Sequence, residues 1–299
     1  MRHYVLLSWL CLTALLAQGQ QAGFREQYEG LMRQQKTKEA AAVVGRWEKA
    51  ASQDPDLYVA KFNIILSGAD ALVLSANPNA PGEGFQITDP KSGKAVGSIR
   101  GGGYNPLKVQ QAIDVLRKGA ALAPDRLDIR FGLAKAAEIK EDASQQYQIL
   151  KEALAWRASA AGKPWRWRNG GALPGPEAEF VPGTLEGYMV PYWQSDTAEG
   201  REQALKLTEL LIQYYPQSSL GYFNKGNYYA FSEQDAEAYK WFEKADQLNP
   251  DDPQNVNNLL RISLNLKNKA AAQRYLPRLC RYPDFKNECQ RYTAELEKL

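Results

Sequence analysis

Trp165-Arg166-Trp167-Arg168 is the stretch of the sequence best equipped for recognition chemistry. In an extended segment alternate side chains face opposite ways, so both indoles would share one face and both guanidinium groups the other. Two indoles stack on a sugar or a peptide, and the arginines hold a carboxylate. The competing reading is structural, with the tryptophans plugging a gap in the scaffold. Groups for catalysis are scarcer. The only histidine is His3, and it lies in a stretch that reads as a removable leader. A mature chain then has no imidazole for general-base work, metal ligation or a nucleophile–histidine pair. Gly101-Gly102-Gly103 lacks both the Lys-Ser/Thr of a phosphate loop and the spaced glycines of a dinucleotide fingerprint. The acidic pairs Asp235/Glu237 and Glu141/Asp142 fall at helix starts, where capping and the helix dipole employ them. No catalytic residue, metal or cofactor is expected.

The leader reading rests on Met1 to Gly19: Arg2 and His3 open it, Val5 to Leu16 form an apolar run, and Ala17-Gln18-Gly19 is a small-x-small exit. A retained N-terminal anchor is the alternative. Cys11 follows the bulky Leu10, which argues against lipidation. No later segment approaches the roughly 20 apolar residues of a membrane span, so none is expected after leader removal. Export to the periplasm or beyond the cell follows. Cys280 and Cys289 are then a disulfide candidate, with two separate buried thiols as the other possibility. The 37 basic residues are balanced by 34 acidic ones. That balance gives no basic field for nucleic acid, so a nucleic-acid partner is not expected.

The elements that must position these groups are helical. From Leu220 to Pro250 the chain reads as one helical hairpin. Tyr222, Gly226 and Tyr229 mark its first helix, and Ala238, Phe242 and Ala245 its second. Small residues allow two helices to approach, and the large ones fill the groove to the next pair. Pro216 and Pro250 stand 34 residues apart. Counting back from Pro55, Trp47 and Ala50 take the places of Phe242 and Ala245. The distance from Pro55 to Pro124 is 69 residues, and the surplus is an insertion over 69–104. In it, Phe85-Gln86-Ile87-Thr88 and Ala95-Val96-Gly97-Ser98-Ile99 flank a Pro- and Gly-bearing turn, as in a β-hairpin. A Trp-, Pro- and Gly-rich loop spans 157–184, with a first helix resuming at Leu185, and a capping helix is expected over 285–299.

These residues resemble a tetratricopeptide repeat, whose period is about 34 residues. The segments GFQITDPKSGKAVGSI and PDRLDIRFGLAKAAEI, followed by the W-x-W loop, narrow the likeness to exported tetratricopeptide-repeat (TPR) proteins of Bacteroidetes. The resemblance implies an all-α, right-handed superhelical solenoid of about six hairpins over 20–299. It implies an envelope protein and brings no catalytic residues. In such repeats the first helices line a concave groove that receives an extended peptide or a partner helix. Tyr222, Asn224, Lys225, Tyr228 and Asn257 are the candidates for that contact. The expected function is a non-enzymatic protein–protein interaction scaffold of the envelope. The alternative is a glycan- or small-ligand-binding protein using Trp165, Arg166, Trp167 and Arg168.

Overall fold

The computed structural model describes residues 23–75, 84–89, 92–160 and 162–299. The leader, with His3 and Cys11, lies outside these residues, as does the NPNAPGE run of the insertion. The chain divides into two compact units between Ala172 and Leu173. In each, antiparallel helical hairpins stack in tandem, the all-α architecture that the resemblance implies.

The first unit pairs α1 (residues 23–33) with α2 (Thr37–Ala50), α3 (Pro55–Ser67) with α4 (Pro106–Leu122), and α5 (Leu127–Ile139) with α6 (Ala143–Ser159). The second pairs α7 (Glu177–Gln194) with α8 (Ala198–Tyr214), α9 (Ser219–Phe231) with α10 (Asp235–Leu248), and α11 (Pro253–Asn265) with α12 (Lys269–Leu279). It ends in α13 (Lys286–Leu296). Helix α7 thus starts eight residues before the expected Leu185 and carries Pro182 and Pro191 in its interior.

The hairpin turns share a backbone device. Gln35, Glu141, Asp196, Glu233 and Lys267 each adopt a left-handed conformation, with φ between 48° and 59°. Behind four of them a six-residue backbone ring closes the first helix: Lys36 N donates to Leu31 O, Asp142 N to Ala137 O, Gln234 N to Tyr229 O and Asn268 N to Ser263 O. This is the Schellman arrangement, here made without glycine. Second helices then start on Asp142, Thr197 or Asn268, whose side chains accept from the amides of Gln145, Gly200 and Ala271.

Where α3 meets α4 the sheet is inserted instead. It contains β1 (Asp70–Ser75), β2 (Gly84–Thr88) and β3 (Ala95–Tyr104), antiparallel in the order β1-β3-β2. The β2–β3 pair occupies the two stretches read as a hairpin. Strand β1 is an addition: it falls inside the expected insertion, but its central run Ala71 to Leu74 lacks the alternation that marks a half-buried strand.

The first hairpin corrects the register. Pro55 is not the proline that follows a second helix; it is the first residue of α3, as Pro253 is of α11. Pro124, Pro216 and Pro250 instead lie three residues before their next helix. Trp47 accordingly matches Ala245, each carbonyl accepting the amide of the residue that caps its helix. Val44 matches Phe242, and Ala50 is exposed. A proline's fixed φ suits both the start of a helix and the turn before it, so the residue alone cannot distinguish them. The fully buried Trp47 donates from Nε1 to Asp54 Oδ2 (3.1 Å), while Asp54 Oδ1 caps α3 at the amide of Asp56 (3.0 Å). Burial raises the Asp54 carboxyl pKa, and these two hydrogen bonds offset only part of that rise.

Gly226 fits its expected place. A Cβ there would meet Phe242 ring carbons at 2.5 Å, and Phe242 is wholly enclosed. Alanine gains about 1 kcal/mol in a helix interior relative to glycine, whereas overpacking a core costs about 1–3 kcal/mol. Gly226→Ala should therefore lower stability by up to about 2 kcal/mol, and Phe242→Leu added to it should recover part of the loss. A more stable single variant in a thermal melt would refute the close approach.

Cys280 and Cys289 form a disulfide that ties the end of α12 to α13. Helix α13 lays buried Tyr292, together with Leu296, over the last core cluster, beside Tyr275 and Leu279. Closing a loop of separation 9 is worth about 2.5 kcal/mol in chain entropy. Cys280→Ser paired with Cys289→Ser should therefore expose the α13 amides to hydrogen exchange while leaving those of α9 protected.

Candidate functional site

The first helices of the first unit, α1, α3 and α5, line an open cavity of about 590 Å³. Its floor is apolar, with Tyr28, Met32, Val59, Ala60, Phe62, Leu116 and Ile129. Gly132 belongs to the same wall, where a Cβ would meet Leu116 at 3.2 Å. One side is closed by Trp167, Arg168 and Asn169, which come from the loop after α6 and not from a repeat.

A chain of four charges ties the three lining helices together. Arg126, 3% exposed, sits between two carboxylates: Nη2 meets Asp56 Oδ1 at 2.7 Å, and the guanidinium grips Asp128 through Nε and Nη2, both at 2.8 Å. Arg25 Nη2 holds the other oxygen of Asp56 at 2.9 Å. Burial works to lower the Arg126 pKa, and the Asp128 and Asp56 carboxylates more than reverse it, so the group is firmly cationic. Asp56 and Asp128 each occupy the second position of a first helix, where the dipole favours an anion. Sequence spacing offers that dipole reading for acidic residues at helix starts; the shared arginine is a long-range contact that spacing does not reveal.

The loop is anchored on the turn between α4 and α5. Arg166 N donates to Asp125 O (2.8 Å), Leu127 N donates to Arg166 O (2.9 Å), and the Arg166 guanidinium pairs with both Asp125 oxygens (2.5 and 2.9 Å). That pairing holds the Asp125 carboxyl below its usual range. Arg168 already begins a short 3-10 turn (Arg168–Gly170) and lines the same cavity as Trp167, so strand-like alternation does not run through all four residues, and the two tryptophans do different things. Trp165 is buried against Trp156, ring centres 4.7 Å apart, with the Arg130 guanidinium over both rings. It is the structural plug. Trp167 is half-buried, meets Phe131 edge-on and lines the cavity. The arginines divide likewise: Arg166 anchors, and Arg168 is exposed at the cavity.

The five groove candidates of the second unit do not converge on one surface. Tyr222 is 8% exposed, stacked on Trp241 and bonded through its hydroxyl to Pro216 O. Lys225 lies over the same Trp241 ring at 4.5 Å and near Glu209. Tyr228 donates to Glu202 of α8 (2.6 Å). These three therefore turn toward the second helices α8 and α10. Asn224, 3% exposed, faces the first-helix row, accepting from Trp193 Nε1 and donating to Leu220 O and Glu186. Asn257 Oδ1 is buried without a hydrogen-bond partner among the described residues. Packing on both sides of α9 consumes residues that the helical wheel alone would assign to solvent.

The described residues lining the cavity include no Ser, Thr, Cys, His or Lys. All three of its carboxylates pair with arginine, Asp56 and Asp128 closely and Glu29 with Arg33 at 3.7 Å. Among the described residues, no cluster of three or more His, Cys, Asp or Glu could hold a metal ion. No described helix is long and apolar enough to cross a membrane.

No protein-family model matches the chain, and no curated protein matches it in sequence. Solved structures do. The C-terminal part of a TPR repeat-containing protein from Cytophaga hutchinsonii is 12% identical, covers 92% of this chain and 88% of its own, and has a TM-score of 0.48. PilF of Pseudomonas aeruginosa is 11% identical over 93% of this chain and 99% of its own, with a TM-score of 0.41. The TPR2AB domain of yeast Sti1, solved as a complex with pHSP90, is 12% identical over 93% and 99%, with a TM-score of 0.36. At these values the likeness is one of tandem helical hairpins and carries no function across.

Proposed function

We propose that the chain is a non-enzymatic binding scaffold of the cell envelope, which holds a segment of a partner protein in the groove of its first unit. The observation that carries this reading is the cavity of about 590 Å³ whose walls are three first helices and Trp167. An open trough with an apolar floor and a polar rim matches the anatomy of a peptide site. Its helices are cross-tied by buried ion pairs, so the groove is preformed and little ordering is needed on binding. The Cys280–Cys289 bond supports an oxidising compartment, in keeping with export to the periplasm or beyond the cell. The groove in the first unit replaces the Tyr222-centred surface as the preferred contact, because Tyr222 and Asn224 are enclosed.

The glycan or small-ligand reading keeps one supporting observation: Trp167 lines the same cavity, which is of small-ligand size. A photoreactive residue separates the two. Placed at Val59 on the floor, it should form a protein adduct in an envelope extract, and placed at exposed Lys118 of α4 it should form none. Adducts at both positions or at neither would sink the scaffold reading.

A further inference from the structure

We propose that the partner segment is acidic, seating an apolar side chain on the floor of the first-unit groove and a carboxylate on Arg168. The inference rests on the scaffold reading and adds the chemistry of the occupant. Of the arginines at the cavity, Arg25 and Arg126 are already neutralised by Asp56 and Asp128. Their charge serves the scaffold. Arg168 is exposed, and no ion-pair partner is found for it among the described residues. Arg33, on α1, is 72% exposed and among the described residues pairs with Glu29 alone, its neighbour one turn away at 3.7 Å. Once the internal pairs are removed, Arg33 and Arg168 stand against Glu29 alone, and the rim is left cationic.

The position of Arg168 is also constructed. Its loop is clamped by the two-pronged Arg166–Asp125 pair and by backbone hydrogen bonds to the α4–α5 turn. Trp165 is packed beneath it and Trp167 stands beside it as a flat wall. A guanidinium at the same cavity edge as an indole offers a carboxylate a fork of donors and the adjoining aliphatic segment a surface to lie on. The loop belongs to no repeat, so this selectivity is a property of the inserted segment and not of the helical framework. Rim charges act mainly on association rate and choice of partner, while the apolar floor sets dissociation.

The test is a random dodecapeptide display library panned on the full chain, on Arg168→Glu and on Val59→Trp, which fills the floor. Circular dichroism would confirm that each variant folds. The expected result is enrichment of Asp or Glu beside Leu, Ile or Phe on the wild-type protein, lost on both variants. A selected peptide, synthesised with a fluorophore, should weaken about fivefold on Arg168→Glu, and the same peptide with Gln for its acid should weaken by up to about as much on wild type. Combining the two changes should give less than the product of the separate losses. Peptides that need the floor but show no acid preference would overturn this inference and leave the groove reading standing. Peptides indifferent to Val59→Trp, or no enrichment at all, would overturn the groove reading itself.

Discussion

Replacing Arg126 by methionine is expected to cost about 3–5 kcal/mol of stability in the first unit, as breaking a buried ion pair from one side generally does. The size follows from what is left behind. Asp128 loses both of its contacts at 2.8 Å, and Asp56 keeps only Arg25. Methionine nearly fills the volume, so the deficit reports stranded charge and not a cavity. Hydrogen exchange at α5 amides localises the effect, because stacked hairpins unfold as neighbouring units instead of as one body. Adding Asp128→Leu should recover more than half of the loss, since an apolar replacement of both partners removes the stranded carboxylate. A single variant within about 0.5 kcal/mol of wild type, the range of an ordinary surface change, would mean that the network does not hold the groove.

The parts of this fold that were legible in the sequence are those set by short spacing. Gly226 faces Phe242 because one closes on the other within a single hairpin. The 34-residue step from Pro216 to Pro250 repeats a local geometry, with both prolines three residues before a first helix. Legibility fails where the same residue serves two geometries or where no special residue is needed. Pro55 opens a helix that it was read as preceding. The left-handed turns use Gln35, Glu141, Asp196, Glu233 and Lys267, so no glycine marks them; around all but Asp196 a backbone ring closes the turn. Strand β1 hides because its four central residues, Ala71 to Leu74, are apolar without alternation and pair with β3, some 30 residues away. The candidate site divides in the same way. Trp165 to Arg168 play three parts, decided by Asp125, Trp156 and the cavity edge, and the turn at Arg168 brings it to the same edge as Trp167. Asp56, Arg126 and Asp128 meet across two hairpins, a distance that no local pattern encodes.

Trp165→Ala and Trp167→Ala should separate the plug from the binding wall. Trp165 is buried, stacked on Trp156 at 4.7 Å and covered by Arg130. Its removal leaves a void the size of an indole and should cost about 3–5 kcal/mol. Trp167 is half-buried with an edge contact to Phe131 at 6.3 Å, so its removal should cost about 1 kcal/mol, near the typical single-substitution loss. Binding should follow the opposite order. Trp167→Ala removes a wall of the cavity and should weaken a groove-bound peptide at 10 °C, where both variants remain folded. Trp165→Ala should also weaken it, but indirectly. Freed of its underlying plug, the loop retains the Arg166–Asp125 clamp and the backbone bridge, so Arg168 explores more positions without leaving. The predicted difference is therefore kinetic as well. Trp167→Ala raises the dissociation rate, through lost contact, whereas Trp165→Ala lowers the association rate, through a less prepared loop. If both variants were equally unstable, or if Trp167→Ala left peptide dissociation unchanged, the two indoles would share one structural role and the cavity would lose its wall as a recognition element.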